Sequence, residues 1–170
     1  MLDLNGDGIH TTSVENSVWF DIDGDGALEP MAWTDPATDE GFLYLDLDHK
    51  GRVTNGSELF GVGTVMPDGS RGRDGFTALS RYDGNADAVL DANDDIWPRL
   101  RIWVDRNHNG ICDPSETGPI AAYGVKTIDI TPAVVRWNDN AGNLHVLTSS
   151  YRRRRSGDYA IDAISFQRVQ

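Results

Sequence analysis

Short apolar runs alternate with turns rich in Gly, Asp and Asn along most of the chain. Runs of branched and aromatic residues between such turns are typical of strands. Leu100–Val104 is the clearest example, because Leu, Ile and Val alternate there with Arg and Trp. The pattern predicts strands at Ser17–Ile22, Pro30–Thr34, Gly41–Leu47, Leu100–Val104 and Val125–Ile130.

The last quarter of the chain has the pattern of an antiparallel β-meander over residues 125–168. Its further strands are predicted at Val134–Trp137, Leu144–Arg152 and Tyr159–Phe166, with polar turn residues between them. We expect consecutive strands to pair.

Helical patterns are shorter and fewer. Asp74–Tyr82 begins with an Asp cap and continues with Phe76, Leu79 and Tyr82 at helical spacing. The pattern also predicts a second short helix at Asn93–Leu100, which Pro98 limits in length. It predicts a single turn at Ser57–Phe60. Together the patterns predict an α+β fold, with short strands and a few short helices organised around several EF-hand-like loops.

Composition restricts the fold and the partners. The 170 residues, 39% of them hydrophobic, predict a single domain over 1–170 with its own core. A net charge of -12 disfavours nucleic acid and anionic membranes as partners and favours metal cations. No stretch reaches the roughly 20 apolar residues of a membrane span. The four histidines lack zinc-ligand spacing, so we expect them at the surface.

Five loops carry Asp or Asn at every second position. They span residues 3–15, 21–32, 46–58, 83–94 and 105–116, and are named loops 1 to 5 in that order. Calcium takes six to eight oxygen ligands, which an EF-hand loop supplies from positions 1, 3, 5, 7, 9 and 12, with Gly at position 6. The pattern therefore predicts several bound Ca2+ ions.

Loops 4 and 5 match this ligand pattern best. Loop 5 has Gly110 at position 6, and loop 4 has Ala88 there and a shorter closing acid. The predicted ligands of loop 5 are Asp105, Asn107, Asn109, the carbonyl of Ile111, Asp113 and Glu116. Those of loop 4 are Asp83, Asn85, Asp87, the carbonyl of Val89, Asp91 and Asp94.

Loop 3 departs from the pattern at two positions. Lys50 stands at position 5, where a cation repels the ion, and the closing acid comes one residue late. The predicted ligands are Asp46, Asp48, the carbonyl of Arg52 and Glu58. The alternative is a capped turn without an ion.

Loops 1 and 2 lack an acid at position 12. We expect them to share ligands or to use remote carboxylates, and the alternative is a pair of Asp-Gly hairpin turns. The predicted ligands of loop 1 are Asp3, Asn5, Asp7 and the carbonyl of Ile9. Those of loop 2 are Asp21, Asp23, Asp25, the carbonyl of Ala27 and Glu29.

Several segments, in the same order along the chain, resemble a known bacterial module. They are Leu2–Ile9, Val18–Gly26, Trp33, Gly41–Asp46, Glu58–Gly61 and Leu100–Asn107. Together they resemble the calcium-dependent self-processing module of iron-regulated RTX proteins of the FrpC type. The resemblance implies a secreted or cell-surface bacterial protein, a larger parent polypeptide and folding triggered by calcium.

In some members of that family the module cleaves an upstream Asp-Pro bond, and the new Asp end can join a lysine. Here Met1-Leu2 leads directly into Asp3, without the cleavage pair or a signal peptide, so we expect a segment of something larger or export by another route. The residues favour a calcium-binding module over an enzyme. The alternatives are a self-cleaving module and a protein-interaction module gated by calcium.

Overall fold

The computed structural model describes residues 1–66, 69–154 and 157–169. The fold is mostly β, with 35% of residues in strands and 11% in helical turns, and its main sheet curls into a half-barrel. The strands are β1 Leu2–Asp3, β2 Val18–Phe20, β3 Glu29–Met31, β4 Glu40–Leu45, β5 Val89–Leu90, β6 Leu100–Trp103, β7 Thr117–Pro119, β8 Val125–Asp129, β9 Ala133–Asn138, β10 Leu144–Arg153 and β11 Asp158–Ser165.

The main sheet runs in the order β5-β8-β10-β11-β1-β4-β6-β7, and β9 also pairs with β10. β2 and β3 form a separate hairpin. The strand pairs are antiparallel, and β1 joins the two halves of the sheet because it pairs with both β11 and β4. The first residues of the chain therefore lie at the centre of the sheet.

β4 separates two cores. All six of its residues are buried, as expected for a strand covered on both faces. Leu43 and Leu45 pack into a first, largely aliphatic core with β6, β8 and β11. Phe42 and Tyr44 point to the second core, where the rings of Trp33 and Phe42 lie 4.7 Å apart and Trp33 and Trp103 5.7 Å apart.

The predicted α+β class is wrong, because the described residues hold one α-helix, α1, at Gly75–Leu79. The Asp74 side chain accepts a hydrogen bond from the Thr77 amide and caps α1, as the sequence predicted. The second predicted helix forms only a 3-10 turn at Trp97–Arg99, since Pro98 cannot donate a backbone hydrogen bond. Residues 55–59 form a hydrogen-bonded turn rather than a helix, in which the Leu59 amide donates to Gly56, and Leu59 also bridges to Tyr44 of β4.

The predicted strands are confirmed, with ends shifted by up to three residues. The meander is confirmed only for β9, β10 and β11. β8 pairs with the end of β10 rather than with β9, and β11 continues the sheet to β1. The connection between β10 and β11 includes residues 155 and 156, which lie outside the described residues.

Gly56 brings loops 2 and 3 into backbone contact. Its amide donates to the carbonyl oxygen of Asp21 at 2.7 Å. A Cβ atom at this position would lie 1.8 Å from the carbonyl oxygen of Ile22, so only glycine permits the approach.

We predict that Gly56→Ala lowers the free energy of unfolding by about 1–3 kcal/mol, since the backbone must move to admit the methyl group. Urea unfolding measures the change. Gly61→Ala is the matched control, because a Cβ there meets no atom within 4 Å. Equal stability of the two variants would contradict the prediction.

The amino group of Met1 is buried beside β11. It donates to the carbonyl oxygen of Asp162 at 2.7 Å, and the Asp162 amide donates back to Met1. Burial lowers the pKa of this amino group to about 6, against the opposing effect of the Asp162 carboxylate. Between pH 6 and 8 the unfolded chain therefore binds a proton that the folded chain does not.

We predict that the free energy of unfolding rises by about 2 kcal/mol between pH 6 and pH 8 through this group. Denaturant titrations across this range measure it. Acetylated Met1 keeps the N–H donor but cannot titrate, so the acetylated chain should lack this part of the slope, while the histidines contribute equally to both. Identical slopes would exclude the amino group as the cause.

Candidate metal centre in five acidic loops

All five loops share one backbone turn. The carboxylate at position 1 accepts a hydrogen bond from the amide at position 6, at 2.8–3.0 Å. The residue at position 6 has positive φ in every case: Gly8, Gly26, Gly51, Ala88 and Gly110. Ala88 adopts φ 67° despite its Cβ, so loop 4 keeps the turn without glycine.

Three loops are closed by a buried carboxylate that reaches back to their start. Glu116 accepts from the amides of Arg106 and Asp113, and Asp94 from those of Gly84 and Asp91. Glu58 bonds the amides of Leu47 and Thr54, the equivalent positions of loop 3. The late Glu58 therefore does what the acid at position 12 does in loops 4 and 5.

Loop 3 gathers three carboxylates, one of which is paired with a lysine of the loop. Ligand oxygens of Asp46, Asp48 and Glu58 lie within 4.8 Å of one another. Asp46 Oδ1 is buried without a hydrogen-bond partner. The Lys50 ammonium lies 2.7 Å from Asp48 Oδ2, and this hydrogen bond is the main cause of the lowered pKa of Asp48.

Loop 2 gathers Asp21, Asp23 and Glu29 within the same 4.8 Å limit. Asp23 Oδ1 and Glu29 Oε2 are buried and have no hydrogen-bond partner. Arg168, from the end of the chain, lies 3.5 Å from Asp23 and 3.8 Å from Glu29. Asp25 is not part of this group, and its side chain accepts from the Ala27 amide.

In loop 1, a carboxylate from another strand lies beside the side chains of the loop. Because β1 pairs with β4 and places Asp3 opposite Glu40, ligand atoms of Asp7, His10 and Glu40 lie within 4.8 Å of one another. Glu40 is buried, which raises the pKa of its carboxyl group, while hydrogen bonds from Thr38 and the His10 amide oppose the rise. Glu15 is exposed in a 3-10 turn at Val14–Asn16.

Loops 4 and 5 satisfy many side-chain oxygens internally. Asn85 donates to Asp87 at 2.9 Å, and Asn107 to Asp113 at 3.0 Å. Asp105 also accepts from the indole N–H of Trp33 at 2.9 Å, which ties loop 5 to the second core. No three carboxylates of these two loops come within 4.8 Å of one another among the described residues.

The remaining predicted ligands form part of the turns themselves. Asn5 accepts from the Asp7 amide and Asn109 from the Ile111 amide, and Asp91 from the Asn93 amide. Val89 lies in β5, whereas the other residues predicted to offer carbonyls, Ile9, Ala27, Arg52 and Ile111, lie outside strands and helices. Their role as ligands stays a prediction.

Most of the loops begin at the end of a strand rather than at the end of an α-helix. Loop 2 connects β2 to β3, loop 5 connects β6 to β7, and loops 1 and 3 leave the ends of β1 and β4. Loop 4 follows the 3-10 turn at Ser80–Tyr82 and contains β5, which pairs with β8. The helices predicted on either side of loop 4 are reduced to α1 with its 3-10 turn and to the 3-10 turn Trp97–Arg99, so the described residues hold no pair of EF-hand helices.

One histidine was placed wrongly by the sequence analysis. His145 is fully buried, with Nδ1 2.6 Å from Asp162 and Nε2 3.3 Å from Asp139. Its ring stacks on Trp137 at 4.1 Å. No sequence spacing links these residues, since Asp162 comes from the neighbouring strand β11.

A family model described as SPM domain matches residues 1–167 of the chain. The iron-regulated protein FrpA of Neisseria meningitidis serogroup C is 34% identical to the chain over 154 residues, which cover 89% of it. The chain spans only 14% of the length of that relative. No helix among the described residues is long and apolar enough to cross a membrane. Since the match extends over nearly every residue, the chain belongs to the SPM domain family.

Proposed function

We propose that the chain is a calcium-binding domain of an exported bacterial protein and that it is stabilised when calcium enters the acidic loops. One observation carries the proposal: loops 2 and 3 each gather three carboxylates that include buried oxygens without a donor. Buried polar atoms normally have partners. A divalent cation with oxygen preference in each loop would supply the missing partner, for Asp23 and Glu29 in loop 2 and for Asp46 in loop 3.

The donor set favours calcium over other metals. The groups in loops 2 and 3 contain oxygen ligands only, which suits hard cations, and calcium tolerates an irregular set of oxygens better than magnesium, which requires a strict octahedron. Cys112, the only cysteine, is buried, and burial raises the pKa of its thiol to about 11. A thiolate-bound metal is therefore disfavoured.

Calcium would couple binding to stability. Each group holds like charges close together in a chain of net charge -12, and the repulsion that Lys50 and Arg168 leave uncompensated opposes folding until a metal cation neutralises it. Calcium is scarce in the cytosol and abundant outside the cell. The domain would thus be least stable before export and most stable after it.

We predict that calcium raises the melting temperature of chelator-treated protein and binds in several equivalents. At a hundredfold excess over Kd, one site stabilises by about 2.7 kcal/mol. Calorimetric titration and thermal melts with and without chelator measure both effects. Protein that takes up no calcium, with unchanged melting, would refute the proposal.

Glu58→Gln provides the site-specific arm of this experiment. It should bind about one calcium ion fewer, because it removes charge from the buried acid that closes loop 3. Asp95→Asn is the matched control, since Asp95 is an exposed carboxylate outside the five predicted ligand sets. The same stoichiometry in both variants would remove loop 3 from the proposal.

Replacing the lysine of loop 3 should have the opposite effect. We predict that Lys50→Asn tightens calcium binding at loop 3 by about tenfold or more, because it removes a competing ammonium and adds a ligand oxygen at position 5. Calorimetry compares it with Lys126→Asn, a charge-matched change at an exposed residue of β8. Equal affinities would show that Lys50 does not compete with the ion.

A further inference from the structure

β1 is much shorter than the strands beside it. It has two residues, whereas β11 has eight and β4 has six. Its register pairs Leu2 with Ile161 on one side and with Gly41 on the other. In the part of the chain that the structure describes, no strand pairs with the β1-facing edge of β11 beyond Asp162. The sheet therefore has a gap beside Met1.

The register defines what fits the gap. A residue joined to the amino end of Met1 would lie opposite Ala163 of β11 and Leu43 of β4, and the residue before it opposite Ile164. The Asp162 amide points toward β1, so the Ile164 amide, two residues on, points the same way. On the β4 side Leu59 already bridges Tyr44, so a longer segment would pair with β11 alone.

A cavity of about 350 Å³ occupies this place. β11 contributes residues 161–165 to its wall, followed by Phe166, and the opposite wall includes Phe42, Leu43, Leu59, Phe76 and Leu79. Leu2 packs into the first core and Met1 against the second. Because side chains alternate along a strand, added residues would face the two cores in turn, and both should be apolar.

The amino group of Met1 is poorly suited to the position it occupies. It is buried, and its hydrogen bond to the carbonyl of Asp162 is the bond that a neutral peptide N–H makes in an antiparallel pair. An uncharged backbone amide would make the same bond without the cost of burying an ammonium group.

We propose that this cavity, the β1 groove, binds an extended polypeptide strand, and that its occupant is the segment that continues β1 at its amino end in longer proteins carrying this domain. The occupant adds antiparallel to Ala163–Ser165 and presents apolar side chains. The chain spans 14% of the length of its FrpA relative, so in that protein the matching region is joined to other polypeptide. Strand addition supplies affinity through backbone hydrogen bonds, and the apolar walls supply selectivity.

The test compares the 170-residue chain carrying a Gly-Ser-Val-Val leader with the same chain carrying Gly-Ser-Asp-Asp. Both leaders convert the Met1 amine to an amide, so they differ only in the side chains offered to the groove. With Val-Val, hydrogen exchange at the Ile164 amide should slow by about tenfold or more relative to Asp-Asp, and the melting temperature should rise by a few degrees. Exchange resolved by residue with NMR provides the measurement.

Gly61→Leu tests the groove itself. Gly61 lines the cavity, and a Cβ there meets no atom within 4 Å, so the fold should tolerate the new side chain, as a cooperative melt would verify. In the Val-Val chain this substitution should return the Ile164 exchange to the Asp-Asp rate. Equal exchange with the two leaders overturns the proposal. Ile164 protection that depends on protein concentration overturns it too, since the occupant is then a second copy.

Discussion

The hydrogen bond from the position-6 amide to the position-1 carboxylate is the contact on which the candidate site depends. It recurs in all five loops and turns the chain sharply enough to bring later oxygens back toward the first. The turn needs positive φ at position 6, which explains why four of the five positions are glycine. Each loop thus holds its acids near one another by backbone geometry, before any ion is considered.

The sheet then decides which loops gain further ligands. Loops 1 and 3 leave the ends of two paired central strands, so the β1–β4 register brings Glu40 to loop 1. Loop 2 lies against loop 3 because Gly56 allows the close backbone approach. Loop 5 is tied to the aromatic core through Trp33 and Asp105. A change in core packing would therefore displace the acidic side chains through these contacts.

Local patterns predicted the strands and the five acidic loops well, because each depends on residues close in sequence. The helix over Asn93–Leu100 failed because its apolar spacing competes with Pro98 and with the compact turn closed by Asp94. The contacts of Glu40, Arg168 and His145 could not be predicted from local patterns. Strand pairing brings Glu40 and His145 to their partners, and the end of the chain brings Arg168. The ligand spacing of an EF-hand loop does not imply EF-hand helices. The turn needs only two flanking segments at a suitable distance, and strands provide most of them here.

The five loops differ in how their charge is balanced within the protein. Lys50 and Arg168 place cations beside the acids of loops 3 and 2, whereas Asn residues take two ligand positions in loop 5 and so reduce its charge. A calcium ion entering loop 2 or 3 would have to move a side chain that already neutralises part of the site, which lowers affinity. Loops 2 and 3 also hold the oxygens without donors. Partial neutralisation by Lys50 and Arg168 would reduce the repulsion among these acids in the folded chain without metal. An ion would still bind favourably, because it would supply a partner to the oxygens that lack a hydrogen-bond donor.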